Sequence, residues 1–325
     1  MKHFAPKSRA KSPWKIYVLA LLGIMAGAGG AWIYQNWREP LAGGPGGDGF
    51  WARRLKTQIQ SQFSSEQKAK FAPLTPENAN GWYFLEGEPV QSFAVYQSQN
   101  PTRPTPSRRV FVLQPLGEFS LADRELLPDL RLYSEAFFQI PTRLQTPVPA
   151  AKLAPFARKG GLGKNGRQLD AGRLISEILK PNLPPDAALQ MGIASDDLHA
   201  EGLSFVFGLA TWRDRVGVFS TARYFPRDSP TLSESQRAKA LRRAAHVLNH
   251  EAGHMLGLRH CTVFKCSMNG SNSLPDSDQT PLEFCPLCRQ KLAWNIGYDA
   301  QKREKELADF YRKHGLLPFL NEIKD

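Results

Sequence analysis

The sequence predicts a mixed α/β domain standing behind one N-terminal membrane-crossing helix, and three stretches carry that expectation. Between Arg109 and Ala222, short runs rich in Val, Ile and Phe alternate with a helical pattern, as in a sheet with helices packed on it. From Glu234 to Leu256 an alanine-rich run follows the capping signal Ser233-x-x-Gln236 and reads as one long helix. From Ile16 to Tyr34 the chain holds nineteen uncharged, mostly apolar residues, enough to cross a hydrocarbon core of about 30 Å.

The chain has 325 residues and a formal net charge of +12, enough length for one well-buried domain with extras. Lys2, Lys7, Arg9, Lys11 and Lys15 precede the apolar run with no acid among them, which leaves +7 for the rest. Trp14, Tyr17, Trp32, Tyr34 and Trp37 mark its two ends as interfacial aromatics do. Cations before the run outnumber those just after it, so the expected topology has the N-terminus in the cytoplasm and the body of the protein outside. A cleaved signal ending near Ala26-Gly27-Ala28 and a reversed topology are the alternatives. The basic surface could favour anionic membranes or acidic substrates; no nucleic-acid motif is present, and no nucleic acid is expected.

Leu41–Gly49 has the composition of a flexible linker. Trp51, Leu55, Ile59 and Phe63 recur at helical spacing through the stretch from 50 to 72. The Pro-rich segment from Asn100 to Ser107 is taken as a boundary. The expected division is therefore 1–38 basic N-terminus and anchor, 39–106 linker and extension, and 107–325 main domain. Within the last, strands are expected at Val110–Gln114, Leu189–Ala194, Leu203–Ala210 and Val216–Ala222. A first helix is expected at Leu169–Leu179, a long surface connection at Pro141–Gly166, and a charged helix at Gln301–Lys313. The pair Asp196-Asp197 reads as a turn near a strand end. His246 reads as a histidine on the helix surface, and His3, His199 and His314 receive no role.

The chemistry concentrates in one stretch. His250-Glu251-x-x-His254 puts two imidazoles on one helical face with Glu251 beside them. Gly257 can adopt a left-handed conformation and turn the chain, so that His260 returns as a third ligand. Three protein ligands with one position open are the arrangement of a catalytic zinc, with Glu251 as the candidate general base. All four cysteines follow: Cys261-x4-Cys266, then Cys285-x2-Cys288. Two close pairs separated by a loop suit a second, structural zinc; disulfides Cys261–Cys266 and Cys285–Cys288 are the alternative in an exported protein. Met268 lies two residues beyond Cys266.

The extended His-Glu motif followed by a methionine is the metzincin pattern. HExxHxxGxxHCxxxxCxM followed by CxxC is narrower and resembles the archaemetzincin family. Val110–Gly117, Arg167-Gln168 with Ala171, Met191–Leu198 and Leu203–Gly208 resemble the family's upstream segments, and Gly81-Trp82 and Glu88–Phe93 do so more weakly. The likeness spans about residues 80–300. It implies a metzincin-like zincin domain: a mixed twisted sheet, a backing helix, a zinc-binding helix and a small C-terminal subdomain. It also implies that Met268 supports the site without ligating, and that Leu203–Ala210 or Val216–Ala222 borders the cleft and receives substrate as an added strand. The expected function is zinc-dependent hydrolysis of peptide bonds, with two Zn2+ per chain and a peptide or protein as substrate. A peptide-binding protein with little activity, or a hydrolase of other amide bonds, are the alternatives. Oligomeric state is not legible.

Overall fold

Residues 50–75, 78–79, 88–162, 166–224 and 232–321 are described by the computed structural model of the chain. The membrane span expected at Ile16–Tyr34, the linker Leu41–Gly49 and the Gly81-Trp82 pair lie outside them. Among the described residues no helix is long and apolar enough to cross a membrane.

The helical stretch expected from 50 to 72 is two helices, α1 (Phe50–Gln60) and α2 (Ser65–Lys70). The break has a local cause: Ser64 caps α2 in a reciprocal capping box with Gln67. Beyond α2 the chain lies against a distant loop, with Leu74 N–H donating to Val263 O at 3.0 Å and Lys265 N–H to Ala72 O at 2.8 Å. Helix α3 (Phe93–Ser98) follows, capped by Ser92.

A five-stranded sheet forms the centre, in the order β2-β1-β5-β9-β8. Its strands are β1 (Val110–Leu116), β2 (Thr142–Leu144), β5 (Ala187–Ala194), β9 (Val216–Ser220) and β8 (Gly208–Ala210). The first four run parallel, and β8 closes one edge antiparallel to β9. Every residue of β5 and β9 is buried, as expected where both faces of a parallel sheet are covered. A second sheet, β3 (Ala157–Lys159), β4 (Arg167–Asp170), β6 (Asp197–Ala200) and β7 (Leu203–Val206), runs in that spatial order.

The structure departs from the sequence reading at four places. Helix α4 (Leu121–Phe138) is an element that the sequence reading does not assign. Ser120 and Asp123 form its capping box, and Leu126, Leu130, Tyr133 and Phe137 bury one face, while Pro128 sits inside it and masks the helical pattern. The stretch 141–166 is not one loop: it holds β2, a short helical segment Ala150–Leu153 and β3. The helix expected from Leu169 begins at Ala171, because Arg167–Asp170 pairs with β3 and β6. It runs as Ala171–Arg173 and then a wide π-type segment, Leu174–Leu179. The expected strand Leu203–Ala210 is divided between the two sheets.

The acidic pair Asp196-Asp197 is buried and matched to arginines. Asp196 accepts from Arg167; Asp197, fully buried, accepts from Arg223 Nε and Nη2 at 2.8 Å each and from Gln168 Nε2 at 3.0 Å. Removing one member of a buried pair leaves the other charge uncompensated. Arg223→Ala is therefore expected to destabilise the fold by about 3–5 kcal/mol, measured as a lowered denaturant midpoint.

Helix α5 (Glu234–Met255) packs across the central sheet. The Ser233 and Gln236 capping box forms as expected, and Ala244, Val247, Leu248 and Met255 are all buried. After it come α6 (Leu274–Asp278), α7 (Pro286–Ile296) and α8 (Ala300–Lys313). Leu307, Phe310 and Tyr311 of α8 join the same core as α4 and α5.

Candidate metal centres and active site

Helix α5 ends in a turn that a glycine makes possible. Gly257 has φ +86°. Its N–H donates to His254 O and the Leu258 N–H to Gly253 O, both at 2.9 Å, the paired bonds of a Schellman cap. A side chain at 257 would also run into Pro101 and Trp212. The reversal brings His260 back beside the helix, and ring nitrogens of His250, His254 and His260 lie within 4.8 Å of one another. The ring centroids are 4.6, 4.8 and 5.1 Å apart.

Each ring is held from behind. His250 Nδ1–H donates to Ser267 O at 3.0 Å and His254 Nδ1–H to Leu258 O at 2.8 Å; His260 Nδ1 bonds the Glu88 carboxylate. With Nδ1 occupied, Nε2 is left to ligate a metal. His250 Nε2 and His254 Nε2 stand 3.0 Å apart, close to the roughly 3.3 Å of two nitrogens on one tetrahedral zinc. Burial first, and neighbouring His260 second, push His250 down to about 3; burial also holds His254 far below its ordinary range. Neutral imidazoles with free lone pairs are the form a metal takes. The residues present fit zinc.

Glu251 is 6% exposed, and burial raises its carboxyl to about 8. Its side chain lies against the backbone of Gly208, the first residue of edge strand β8. A Cβ there would fall 2.6 Å from Oε1 and 2.8 Å from Cδ.

The four cysteines are free thiols, all buried, with Sγ atoms within 4.8 Å of one another. Cys261 Sγ and Cys285 Sγ are 3.8 Å apart, which matches the separation of about 3.8 Å for two sulfurs on one tetrahedral zinc. Backbone N–H groups of Met268 and Cys285 point at Cys266 Sγ, at 3.4 and 3.2 Å, as they do toward thiolates. Hydrogen bonds from the other three thiols lower the Cys261 pKa, while burial raises those of Cys266 and Cys285.

The two clusters share a wall. His260 and Cys261 are consecutive, and Cys261 N–H donates to Met268 O at 2.8 Å. Met268 is fully buried under the helix at Gly253, where any side chain would overlap its sulfur. The turn is braced from outside the motif. Gln91 Nε2 donates to Gly257 O at 2.9 Å, and its Oε1 accepts from Arg259 N–H at 3.0 Å. Tyr96 Oη–H donates to Leu256 O at 2.7 Å.

His246 is a correction. It is 3% exposed, with Nδ1 3.0 Å from Ser277 Oγ of α6 and its ring 6.4 Å from that of His250. The packing of α6 turns an apparent surface position into a core one. Sequence reasoning missed Glu88, Ser267 and Gly208 as site residues. Glu88 lies 172 residues from His260 and Gly208 lies 43 from Glu251; both fall in segments that resemble the family, but their spacing gives neither a role in the site.

A model of peptidase family M54 matches residues 187–294. Archaemetzincin-2 of Macaca fascicularis is 32% identical over 268 residues, covering 73% of each chain. Archaemetzincin-2 of Homo sapiens is 30% identical over 268 residues with the same coverage. The crystal structure of archaemetzincin from Archaeoglobus fulgidus aligns with 56% of this chain and 99% of that one, at 27% identity and a TM-score of 0.42. With this motif, this geometry and the two archaemetzincin-2 relatives, the chain belongs to the archaemetzincin family of zinc metallopeptidases, family M54.

Proposed function

We propose that the chain hydrolyses peptide bonds with one zinc held by His250, His254 and His260, Glu251 acting as general base, and a second zinc in the cage of Cys261, Cys266, Cys285 and Cys288. The observation that carries this reading is the convergence of three imidazoles, each with Nδ1 engaged, next to a buried carboxylate at the edge of a sheet. Bound zinc supplies Lewis acidity, which polarises the scissile carbonyl and acidifies water. Glu251 takes the proton of the attacking water and returns it to the leaving amine. Gly208 gives that carboxylate room, and β8 offers its outer edge to an extended peptide, which would bind by main-chain hydrogen bonds. Of the two edge candidates in the sequence, β9 is interior to the sheet, so support falls on Gly208–Ala210. Met268 supports the site from below.

The same reading takes 1–38 as a membrane anchor with its N-terminus in the cytoplasm, 39–106 as linker and extension, and 107–325 as the catalytic domain outside. The charge bias around the apolar run supports that orientation.

The test is cleavage of a mixed peptide library by the zinc-loaded full chain, with Glu251→Ala as control and mass spectrometry of the new termini. Cuts that depend on Glu251 are expected. None, with zinc bound and the chain folded, would leave peptide binding or another amide substrate. Gly208→Ala is a finer probe. The methyl would overlap the Glu251 side chain from Cγ outward, so the buried carboxylate must shift at some cost in stability, and displacement of a catalytic group by about 1 Å can cost roughly 10²-fold in rate. A Gly208→Ala enzyme with unchanged kcat would show that Glu251 does not need this space.

A further inference from the structure

We propose that Glu88, brought in by the extension, is the positioning residue of the catalytic metal site: it orients His260 and supplies the site's fixed negative charge. The inference rests on the reading of His250, His254 and His260 as zinc ligands. The three rings are not supported alike. His250 and His254 lean on neutral carbonyls, Ser267 O and Leu258 O, from within the motif's own loops. His260 leans on a carboxylate 172 residues earlier in the chain. A carboxylate behind a ligating imidazole fixes its tautomer and strengthens its basicity as a donor.

Glu88 is also placed at a cost. Its side chain is 15% exposed, and its Oε2 is buried with no hydrogen-bond partner among the described residues. A carboxylate in that setting is unfavourable unless a positive charge answers it. The neighbouring Arg259 guanidinium answers part of that charge, and a dication held by the far nitrogen of the His260 ring would answer the rest, so the site carries counter-charge for a metal. The position is anchored and not a loose approach. Three residues on, Gln91 is bonded to Gly257 O and Arg259 N, on both sides of the reversal that delivers His260, and to Lys291 Nζ at 3.1 Å.

The test is the zinc dissociation constant of the histidine site in the full chain, from competition with a chromogenic chelator, for wild type, Glu88→Gln, Glu88→Ala and His260→Ala. Thermal unfolding of the zinc-free proteins checks the fold. Glu88→Ala is expected to weaken zinc by 10–100-fold. Glu88→Gln keeps shape and an acceptor but loses the charge, and is expected to weaken it by about tenfold. A packing role alone would leave Glu88→Gln at the wild-type value, and that result, with His260→Ala impaired, would overturn the proposal. A wild type whose chelator-competed zinc is unaffected by His260→Ala would instead overturn the assignment of the ligands, and this role with it.

Discussion

Replacing Cys266 with serine is expected to strip zinc from both centres, not from one. Cys266 Sγ is bonded by the backbone of Met268 and Cys285. Ser267, between Cys266 and Met268, lends its carbonyl to His250. Met268 in turn ties back to Cys261, whose neighbour is His260. A serine hydroxyl is a poor substitute for a thiolate on zinc, and loss of that ion frees the loop that orients two of the three histidines. Zinc content should fall from two per chain toward zero, with hydrolysis lost. If the loosened loop costs about 4 kcal/mol, the melting temperature should fall by roughly 10 °C for a domain of this size. Metal analysis and calorimetry of the purified variant decide it. A variant that keeps one tightly bound zinc and its activity would show the two centres to be independent.

Glu251→Gln should give the opposite pattern, with both metals kept and the rate lost. Glutamine matches the shape but cannot accept a proton, so kcat is expected to drop by about 10³-fold, or roughly 4 kcal/mol of transition-state stabilisation, with KM little changed. In the zinc-free protein at neutral pH, stability should rise, because burial in this site disfavours the charged carboxylate, as its pKa near 8 reflects. A melting temperature that rises while kcat collapses would mark Glu251 as a residue kept for chemistry at the expense of the fold. A kcat within tenfold of wild type would remove it from the role of base.

The parts legible in the sequence are those whose information is local. The capping box of Ser233 and Gln236, the i, i+4 histidines and the glycine stop are fixed by neighbours on the same helix, and the structure puts those elements where the spacing says. The paired cysteines likewise read out as one cluster. What escaped depends on distant packing. Helix α4 hides behind Pro128 and a charged first half, and contacts that help to hold it, such as Tyr133 against Phe310 and Tyr311 of α8, form only in the tertiary fold. The second sheet is built from strands of three or four residues, too short to show a period. Arg167–Asp170 passes for the start of a helix because its true partners, β3 and β6, lie in other stretches of chain. His246 is buried by a helix thirty residues later in the sequence, and Glu88 reaches the site only through the tertiary fold.

The two outer strands of the central sheet, β2 and β8, are three residues long, against seven, eight and five for the strands between them. An open edge invites pairing with another copy of the chain, and very short edge strands are one way in which proteins suppress such self-association. If the edge beside Glu251 takes substrate as proposed, it is long enough for a few main-chain bonds to a passing peptide and too short to nucleate a growing sheet. On that proposal, guarding against aggregation and leaving a place for substrate would fall to the same three residues, Gly208, Leu209 and Ala210, and substitutions that lengthen β8 are expected to strengthen peptide binding and the tendency to form fibrils together.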